Sequence, residues 1–415
     1  MNRQPLQYAS LKSVILFLEP NLRFNLTRQL PSIRTAEKGT PLKIDNLRFE
    51  DNTIMVNDIK YQLSVYRKYQ VERPPIEVSG TVMHDLDEYG FKQPASNDLL
   101  PGDVSIGTLS YFPVIESDSQ EEGKMLKSRL RYCQRRLKNL RDTQSDLGDY
   151  EERVNDCRQR LLPFKYRWNQ QKSPCDLYLQ LTIRTKSTIQ STYRIRYNDK
   201  LHNGMKQLME MLFGKRQDVW KVDYMYLDVS ILRWLVSGTL PIVRTLRIRN
   251  HESTNFEALK SIVHTESFPL KNLVISFTNF GEEEFNNKII TEAKYLILDC
   301  FLPLMRQLVK IQNSNVFITT RMSPSEFCDL VRHWLQHGRP LGTRFLFNFQ
   351  TQYEANNCFE EISNFSEVLE RSERFVKLSM KNSLVLVVSK NERTVVVNGV
   401  NMLYWNVEMK VVHGD

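Results

Sequence analysis

Two histidines, His333 and His337, stand four residues apart in the run HWLQH, a spacing that puts both imidazoles on one helical face. A zinc-dependent hydrolase would need a glutamate base directly after the first of them and a third ligand elsewhere. Trp334 occupies that place, so the pair reads as boundary residues beside a buried tryptophan. Asp85, Asp87 and Glu88 form a small acidic cluster. A divalent cation asks for more oxygen ligands at loop spacing, so this cluster reads as a solvated loop. The six cysteines lie far apart and none forms a CxxC pair. Cys133 and Cys157 fall on apolar helical seams. The chain has no GxxxxGK[ST] phosphate cradle, no GxSxG and no GxGxxG after a strand. No nucleophile, base or metal set can be assembled. The expectation is a protein that is not an enzyme, with no catalytic residues, no cofactor and no metal.

Charge is the next chemistry to place. The 415 residues carry a net +9, and 41% of them are apolar, enough to build a sizeable core. Between Glu121 and Lys172 there are 14 Lys/Arg against 8 Asp/Glu, so +6 of the +9 sits in one stretch. Arg135, Arg136, Lys138 and Arg141 could run along phosphates. Aromatic interleaving is sparse there, with Tyr132 alone in the first run. A solvated or partner-binding helix face fits the same residues, and nucleic acid is the weaker reading. No apolar run approaches the ~20 residues of a bilayer span. With no signal-peptide pattern, the expected setting is cytoplasmic or nuclear.

The elements that carry these residues follow from periodicity. Leu126, Leu130, Cys133, Leu137 and Leu140, then Tyr150, Val154, Cys157 and Leu161, give a narrow heptad seam. A helical hairpin or one long helix interrupted near Gly148 both fit, with Pro163 and Pro174 bracketing the exit. LKIDNLRF, TIMVN and IKYQLSVYRKY alternate with period two and read as a small antiparallel sheet, with Asn57-Asp58 as a turn. Residues 72–112 read as loop. DLYLQLTIRTK and STYRIRYND read as a strand pair. Leu201, Met205, Leu208, Met209 and Leu212 form a helical face that Gly214 closes, with Met211 counted among the core methionines.

A loose repeat follows: YLDV (226–229), TLRI (245–248), NLVI (272–275), YLIL (295–298) and NVFI (315–318), spaced 19 to 27 residues apart. Repeating strand-plus-helix units of this length point to an irregular leucine-rich-repeat-like array. Thr254…Glu257 is a capping-box candidate between two of the strands. In TLRIR, Leu246 and Ile248 should face inward. Thr245, Arg247 and Arg249 should then face solvent, where they are candidates for partner contact, as Arg135 and Arg136 are on the arm. Ser323, Pro324 and Glu326 mark a helix start whose buried face is Phe327, Leu330, Val331, Trp334 and Leu335. The tail is strand-rich, with turns expected at Asn391-Glu392 and Asn398-Gly399.

The opening stretch ILFLEPNLRFNLTRQLPSIR, Ile15 to Arg34, reads as two short apolar helices. Leu11, Val14, Ile15 and Leu18 share one face; Pro20 ends that helix and Asn21 caps the next. Leu22, Leu26 and Leu30 then recur every four residues. Such faces cannot be buried within two or three turns alone. They pack either on the protein's own sheet or on another protein.

Leu11–Arg34 resembles an F-box, with the frame I-L-x-x-L…R…L…R. Further stretches extend the likeness: DEYGF, LLPGDVSI, DLYLQLTI, YNDKLHNGMKQLMEMLFGKR, FPLKNLVI and WLQHGRPLGTRFLFNF. With them the chain is similar, over nearly its whole length, to the nematode-expanded F-box C family, which carries a domain of unknown function. The usual Leu-Pro start stands here as Pro5-Leu6, and Leu30 stands where that family tends to have Cys. The resemblance implies an adaptor-docking set of Pro5, Leu6, Leu11, Ile15, Leu18, Leu22, Leu26 and Leu30. It implies a Skp-type adaptor and a cullin ubiquitin ligase as partners, and a protein target not named by the sequence. The expected class is α+β or α/β. The expected order is an F-box-like module (1–41), a small β-rich region with loops (42–112) and a basic helical or coiled-coil arm (113–174). A repeat-like region (175–350) and a C-terminal antiparallel sheet (351–415) complete it. The rival expectations are an interaction or structural module without a ubiquitin link, and a nucleic-acid binder acting through the arm.

Overall fold

A computed structural model describes residues 8–69, 80–93, 98–109, 120–141, 147–173, 175–249, 251–277, 285–300, 305–319, 322–349, 351–397 and 400–414. The chain opens with α1 (Tyr8–Leu16), α2 (Pro20–Gln29), a 3-10 turn (Pro31–Ile33) and α3 (Arg34–Lys38). Strands β1 (Leu42–Glu50), β2 (Thr53–Val56), β3 (Ile59–Tyr69), β4 (Gly80–Val82), β5 (Val104–Ser105) and β6 (Gly107–Leu109) follow. Next come α4 (Gln120–Arg141), α5 (Leu147–Trp168), β7 (Cys175–Arg184), β8 (Ile189–Arg196) and α6 (Leu201–Phe213). The central run is β9 (Trp220–Asp228), β10 (Ile231–Leu232), β11 (Pro241–Arg249), β12 (His251–Thr254), β13 (Asn272–Phe277), α7 (Lys288–Thr291), β14 (Tyr295–Cys300), α8 (Met305–Leu308) and β15 (Asn315–Ile318). The chain closes with α9 (Pro324–His337), β16 (Arg344–Phe349), α10 (Gln352–Ile362), β17 (Val368–Arg371), β18 (Phe375–Ser379), β19 (Leu384–Val397) and β20 (Val400–His413). The class is mixed α and β. Two compact units divide the chain, Met1–Ile59 with Leu99–Ser110 and Met209–Asp415, and Lys60–Asp98 with Tyr111–Leu208.

In the first unit β1, β9, β11, β13, β14, β15 and β16 are parallel neighbours in chain order. One row of partners runs Leu47, Met225, Leu246, Leu273, Leu296, Val316, Phe345 and on to Met409 in the antiparallel β20. All are buried. A second buried row, two residues further along, is Phe49, Leu227, Ile248, Ile275, Leu298, Ile318 and Phe347. Period-two strands put every second side chain on one face, so stacking them in register makes a continuous core. The alternation slips once at a shared level: Ile44 and Leu47, Val222 and Met225, and Val243 and Leu246 are all buried although three residues apart, one position out of step. Strand β1 therefore belongs to the parallel run as well as to a hairpin with β2. The antiparallel block β20-β19-β18-β17 continues the sheet beyond β16.

Sequence and structure agree where a side chain closes its own helix. Ser323 and Glu326 form the reciprocal capping box, Pro324 takes the first turn and Gly338 closes with φ 78°. Phe327, Leu330, Val331, Trp334 and Leu335 are buried as expected. Other boundaries move. Asn255, not Thr254, caps the 3-10 turn Phe256–Ser261 by accepting from Ala258 N. Asn391 and Glu392 lie inside β19, because β20 offers an unbroken ladder opposite them, Asn406 and Trp405. Lys215, not Gly214, takes the left-handed φ after α6, at 59°. Met205 and Met209 are core, but Met211 is exposed. The stretch 72–112 contains three short strands; β5 pairs with β10, and β6 with β12. Asn398-Gly399 lies outside the described residues.

In the second unit β3, β7 and β8 form an antiparallel sheet, with β4 beside β3. The basic arm is a hairpin of α4 and α5. Leu126, Leu130 and Cys133 meet Val154, Cys157, Leu161 and Phe164 in one buried cluster, with Leu137 packed against it. The side chain of Leu140 is outside the described residues. A Cβ on Gly123 would fall 2.7 Å from Phe164 and Trp168, so the helices meet closely there. Pro163 does not mark the exit, since α5 runs through it to Trp168.

Inward Leu246 and outward Arg247 are adjacent and test the row assignment. Leu246→Ala should cost about 2–5 kcal/mol, whereas Arg247→Ala, which breaks a half-exposed ion pair, should cost about 1 kcal/mol or less. Urea unfolding of both variants measures the difference.

Candidate docking surface

Helix α2 buries a mixed face that carries an arginine. Pro20, Arg23, Phe24 and Thr27 recur at helical spacing and are the buried residues. Arg23 Nε donates to Glu37 Oε1 at 3.2 Å, while its Nη atoms donate to the carbonyls of Pro41 (2.6 Å), Thr40 (3.0 Å) and Glu37 (3.1 Å). Arg216 Nη2 reaches the same Glu37 oxygen at 2.6 Å. Arg23, Glu37 and Arg216 are each no more than 2% exposed. Burial pushes the Arg23 guanidinium down to about 10, and burial also lowers that of Arg216. Beneath them aromatic rings form a chain. Phe24 meets Phe213 edge-on at 5.7 Å, Phe213 stacks on Trp220 at 5.1 Å, Trp220 on Trp234 at 6.2 Å, and Trp234 meets Phe49 at 5.9 Å.

The start of α2 is also tied down. Pro20 is at its first turn rather than ending α1, and Glu19, not Asn21, is the cap, accepting from Leu22 N. Asn21 donates to Glu19 and to Val56 O. Asn57, at φ 51°, accepts from Asp45 N and Asn46 N.

With Arg23 and Thr27 inside, the leucines of α2 turn outward. Leu22 is 44% and Leu30 52% exposed, and Leu26 is half-buried. On and after α1, Val14 (48%), Leu16 (49%) and Phe17 (87%) are exposed beside them in sequence. Leu11 and Leu18 are half-buried. Ile15 packs inside, at 2%, and cannot meet a partner. Pro5 and Leu6 lie outside the described residues. Leu16 and Phe17 fall outside the face that periodicity marks, and Val14, which lies on it, is exposed because Ile15 alone is buried in α1. Large exposed apolar patches mark interaction sites, and these five exposed side chains are the candidates for one.

A second surface is the outer face of the parallel strands, where Thr245, Arg247 and Arg249 point as expected. Arg247 Nη2 donates to Asp299 Oδ2 (2.6 Å) and Ser276 Oγ (3.0 Å), and Thr319 Oγ1 donates to Asp299 Oδ1 (3.0 Å). Arg249 Nη1 donates to the Tyr226 hydroxyl (3.2 Å) and lies 3.3 Å from Asp228 Oδ2. The Tyr226 ring has the guanidiniums of Arg48 and Arg247 at 5.8 and 5.6 Å. Further along the same row stand the half-buried Ile297, Phe317 and Leu346, which the sequence reading left out. On the arm Arg135 is exposed, and Arg136 donates to the Tyr132 hydroxyl at 3.2 Å.

The residues weighed for metal chemistry have structural employment. His333 and His337 stack at 4.2 Å, and among the described residues no group of three or more metal-binding side chains forms. Asp85 accepts from Tyr197 OH (2.6 Å) and Leu201 N (2.7 Å); Asp87 accepts from Phe91 N and pairs with Arg167 at 2.8 Å. Asp85 and Asp87 are thus bonded rather than solvated, and Glu88 is exposed. Cys133, Cys157, Cys175, Cys328 and Cys358 are free and buried. No described helix is long and apolar enough to cross a membrane.

Residues 200–351, from just before α6 to just past β16, match the family model described as a domain of unknown function (DUF3557). No curated relative matches the chain.

Lys38, beside the arginine cluster, donates from Nζ to Leu212 O (2.7 Å) and Met211 O (3.2 Å), carbonyls of the last turn of α6. Burial, with Arg216 nearby, lowers its ammonium from 10.5 to about 7. Between those values the unfolded chain holds a proton that the folded chain has released, so this group adds stability as pH rises. Measured by urea unfolding at pH 7 and pH 9, the parent should gain on Lys38→Met by up to about 1.4 kcal/mol per pH unit. A pH-independent difference would contradict the burial.

Proposed function

We propose that the chain is a non-catalytic F-box-like adaptor of the cytoplasm or nucleus, a candidate substrate receptor of a cullin-type ubiquitin ligase. Its opening helices dock a Skp-type adaptor. The in-order parallel strands form an irregular leucine-rich-repeat-like region whose outer face meets a protein target. The observation that carries this reading is the inverted helix α2, which buries an arginine and a threonine while Leu22 and Leu30 stand outside. A layer made only to cover the protein's own sheet would turn those leucines inward. Arg247, Arg249 and the Ile297–Phe317–Leu346 row support the target-facing role of the sheet.

A pull-down of the full chain on a purified Skp-type adaptor tests it. The parent should bind. Phe17→Asp with Leu22→Asp removes two exposed apolar side chains, each worth roughly 1.5–3 kcal/mol when buried, so affinity should fall about 100-fold or more. Circular dichroism should show the variant still folded. No binding by the folded parent would contradict the reading.

A second reading is favoured by the arm, where Arg135 and Lys138 are exposed on a hairpin closed by its own seam. In it the chain is an interaction module without a ubiquitin link. Adaptor binding would then be absent, and charge reversal at Arg135 and Arg136 would abolish function.

A further inference from the structure

Strand β8 is the outer strand of its sheet, with β7 as its partner on one side and none among the described residues on the other. Seven of its eight residues are exposed. Ile189 and Ile195 are more than 60% exposed, and Tyr193 is 42%. Tyr193 and Ile195 lie opposite Leu181 and Leu179. They extend the sheet face on which α6 seats Gly204, where an added Cβ would lie 3.2 Å from Leu63 and Leu179. The helix thus meets the inner strands β3 and β7, while Tyr193 and Ile195 on β8 stay exposed. On the other face Arg194 lies 3.7 Å over the Tyr66 ring, and Arg196 follows two residues on.

Outer strands carry unpaired backbone groups and are usually blunted. Strand β17, the outer strand of the other unit, is four residues long, bulged, and carries both Glu370 and Arg371. Strand β8 is twice as long, is bulged only near its start, at Gln190, and bears charge of one sign. From Arg184 to Arg196 the chain has four cations, Arg184, Lys186, Arg194 and Arg196, and no carboxylate. A second copy of this edge would set cations against cations. An acidic segment would complement them.

We propose that β8 receives an extended acidic peptide segment of a partner protein as an added strand. The peptide's backbone would complete the ladder. Its apolar side chains would pack on Tyr193 and Ile195, and its carboxylates would meet Arg194 and Arg196 on the other face. The inference does not rest on adaptor docking by the opening helices.

Fluorescence anisotropy on the full chain tests it, with a labelled peptide of alternating Val and Glu as probe. A proline-interrupted peptide of the same charge and a single-stranded DNA serve as controls. The Val-Glu peptide should bind and protect the amides of 189–196 from hydrogen exchange. The proline version, lacking ladder donors, should bind about tenfold or more weakly. Ile195→Lys and Arg196→Glu should each weaken binding about tenfold. If Ile195→Lys fails to fold, the exposed Arg196→Glu carries the test. Absence of peptide binding, equal binding of both peptides, or tighter binding of the DNA would overturn the proposal. So would self-association that protects the same strand.

Discussion

A buried carboxylate shared by two guanidiniums sets the direction of the first helices. Glu37 holds Arg23 and Arg216, and Arg23 also takes three carbonyls at the approach to β1. Among the described residues Glu37 Oε2 and Arg216 Nε and Nη1 find no hydrogen-bond partner. Such a cluster is a poor source of net stability, because desolvating the ions offsets their attraction. Its effect is geometric. Once Arg23 is inside, the 3.6-residue turn sets Leu22 about 100° round the helix, toward solvent, and leaves Leu26 half-buried at the edge; turning α2 to bury Leu22 would draw Arg23 away from Glu37.

The rest of the first unit supplies the platform. Two in-register rows of apolar side chains run across the parallel strands and tie β1, next to the cluster, to β16 far along the sheet order. The aromatic chain from Phe24 to Phe49 joins α2 to that core. The sheet's outer face is then free to carry a different chemistry, in which Arg247, Ser276 and Asp299 interlock across three successive parallel strands with Thr319, just past the fourth. Position on the sheet thus separates residues that hold the fold from those that can meet a partner, even when they are neighbours in sequence, as Leu246 and Arg247 are.

Much of this was legible in the sequence where the physics is local. The Ser323–Glu326 capping box, the seam of the arm and the inward Leu246 and Ile248 each follow from a period or a spacing. The arm's hairpin form settles what the seam left open. What escaped was non-local. Nothing in LKIDNLRF says that it pairs in parallel with a strand beginning at Trp220. The turn signal at Asn391 is real in isolation but is overridden by a long partner strand. The face that α2 buries is hidden in the sequence because a buried arginine is rare, and Glu37, which it binds, and Arg216, which shares that carboxylate, are 14 and 193 residues away. The eight proposed docking positions therefore divide: Leu22 and Leu30 are exposed, Ile15 is core, and Phe17 was missed because it falls outside the frame.

The central claim is that the buried cluster holds the leucine side of α2 toward solvent. Thiol labelling tests it most directly, since the described native cysteines are buried. Single cysteines at Phe17, Leu22 and Leu30, with Ile15→Cys and Phe24→Cys as controls, would be exposed to a maleimide under native conditions. The account predicts rapid labelling at the first three and protection at the two controls until urea unfolds the chain. Protection of Cys at positions 22 and 30 in the folded protein would mean that the leucines are buried in the chain's own core, and the account would fail.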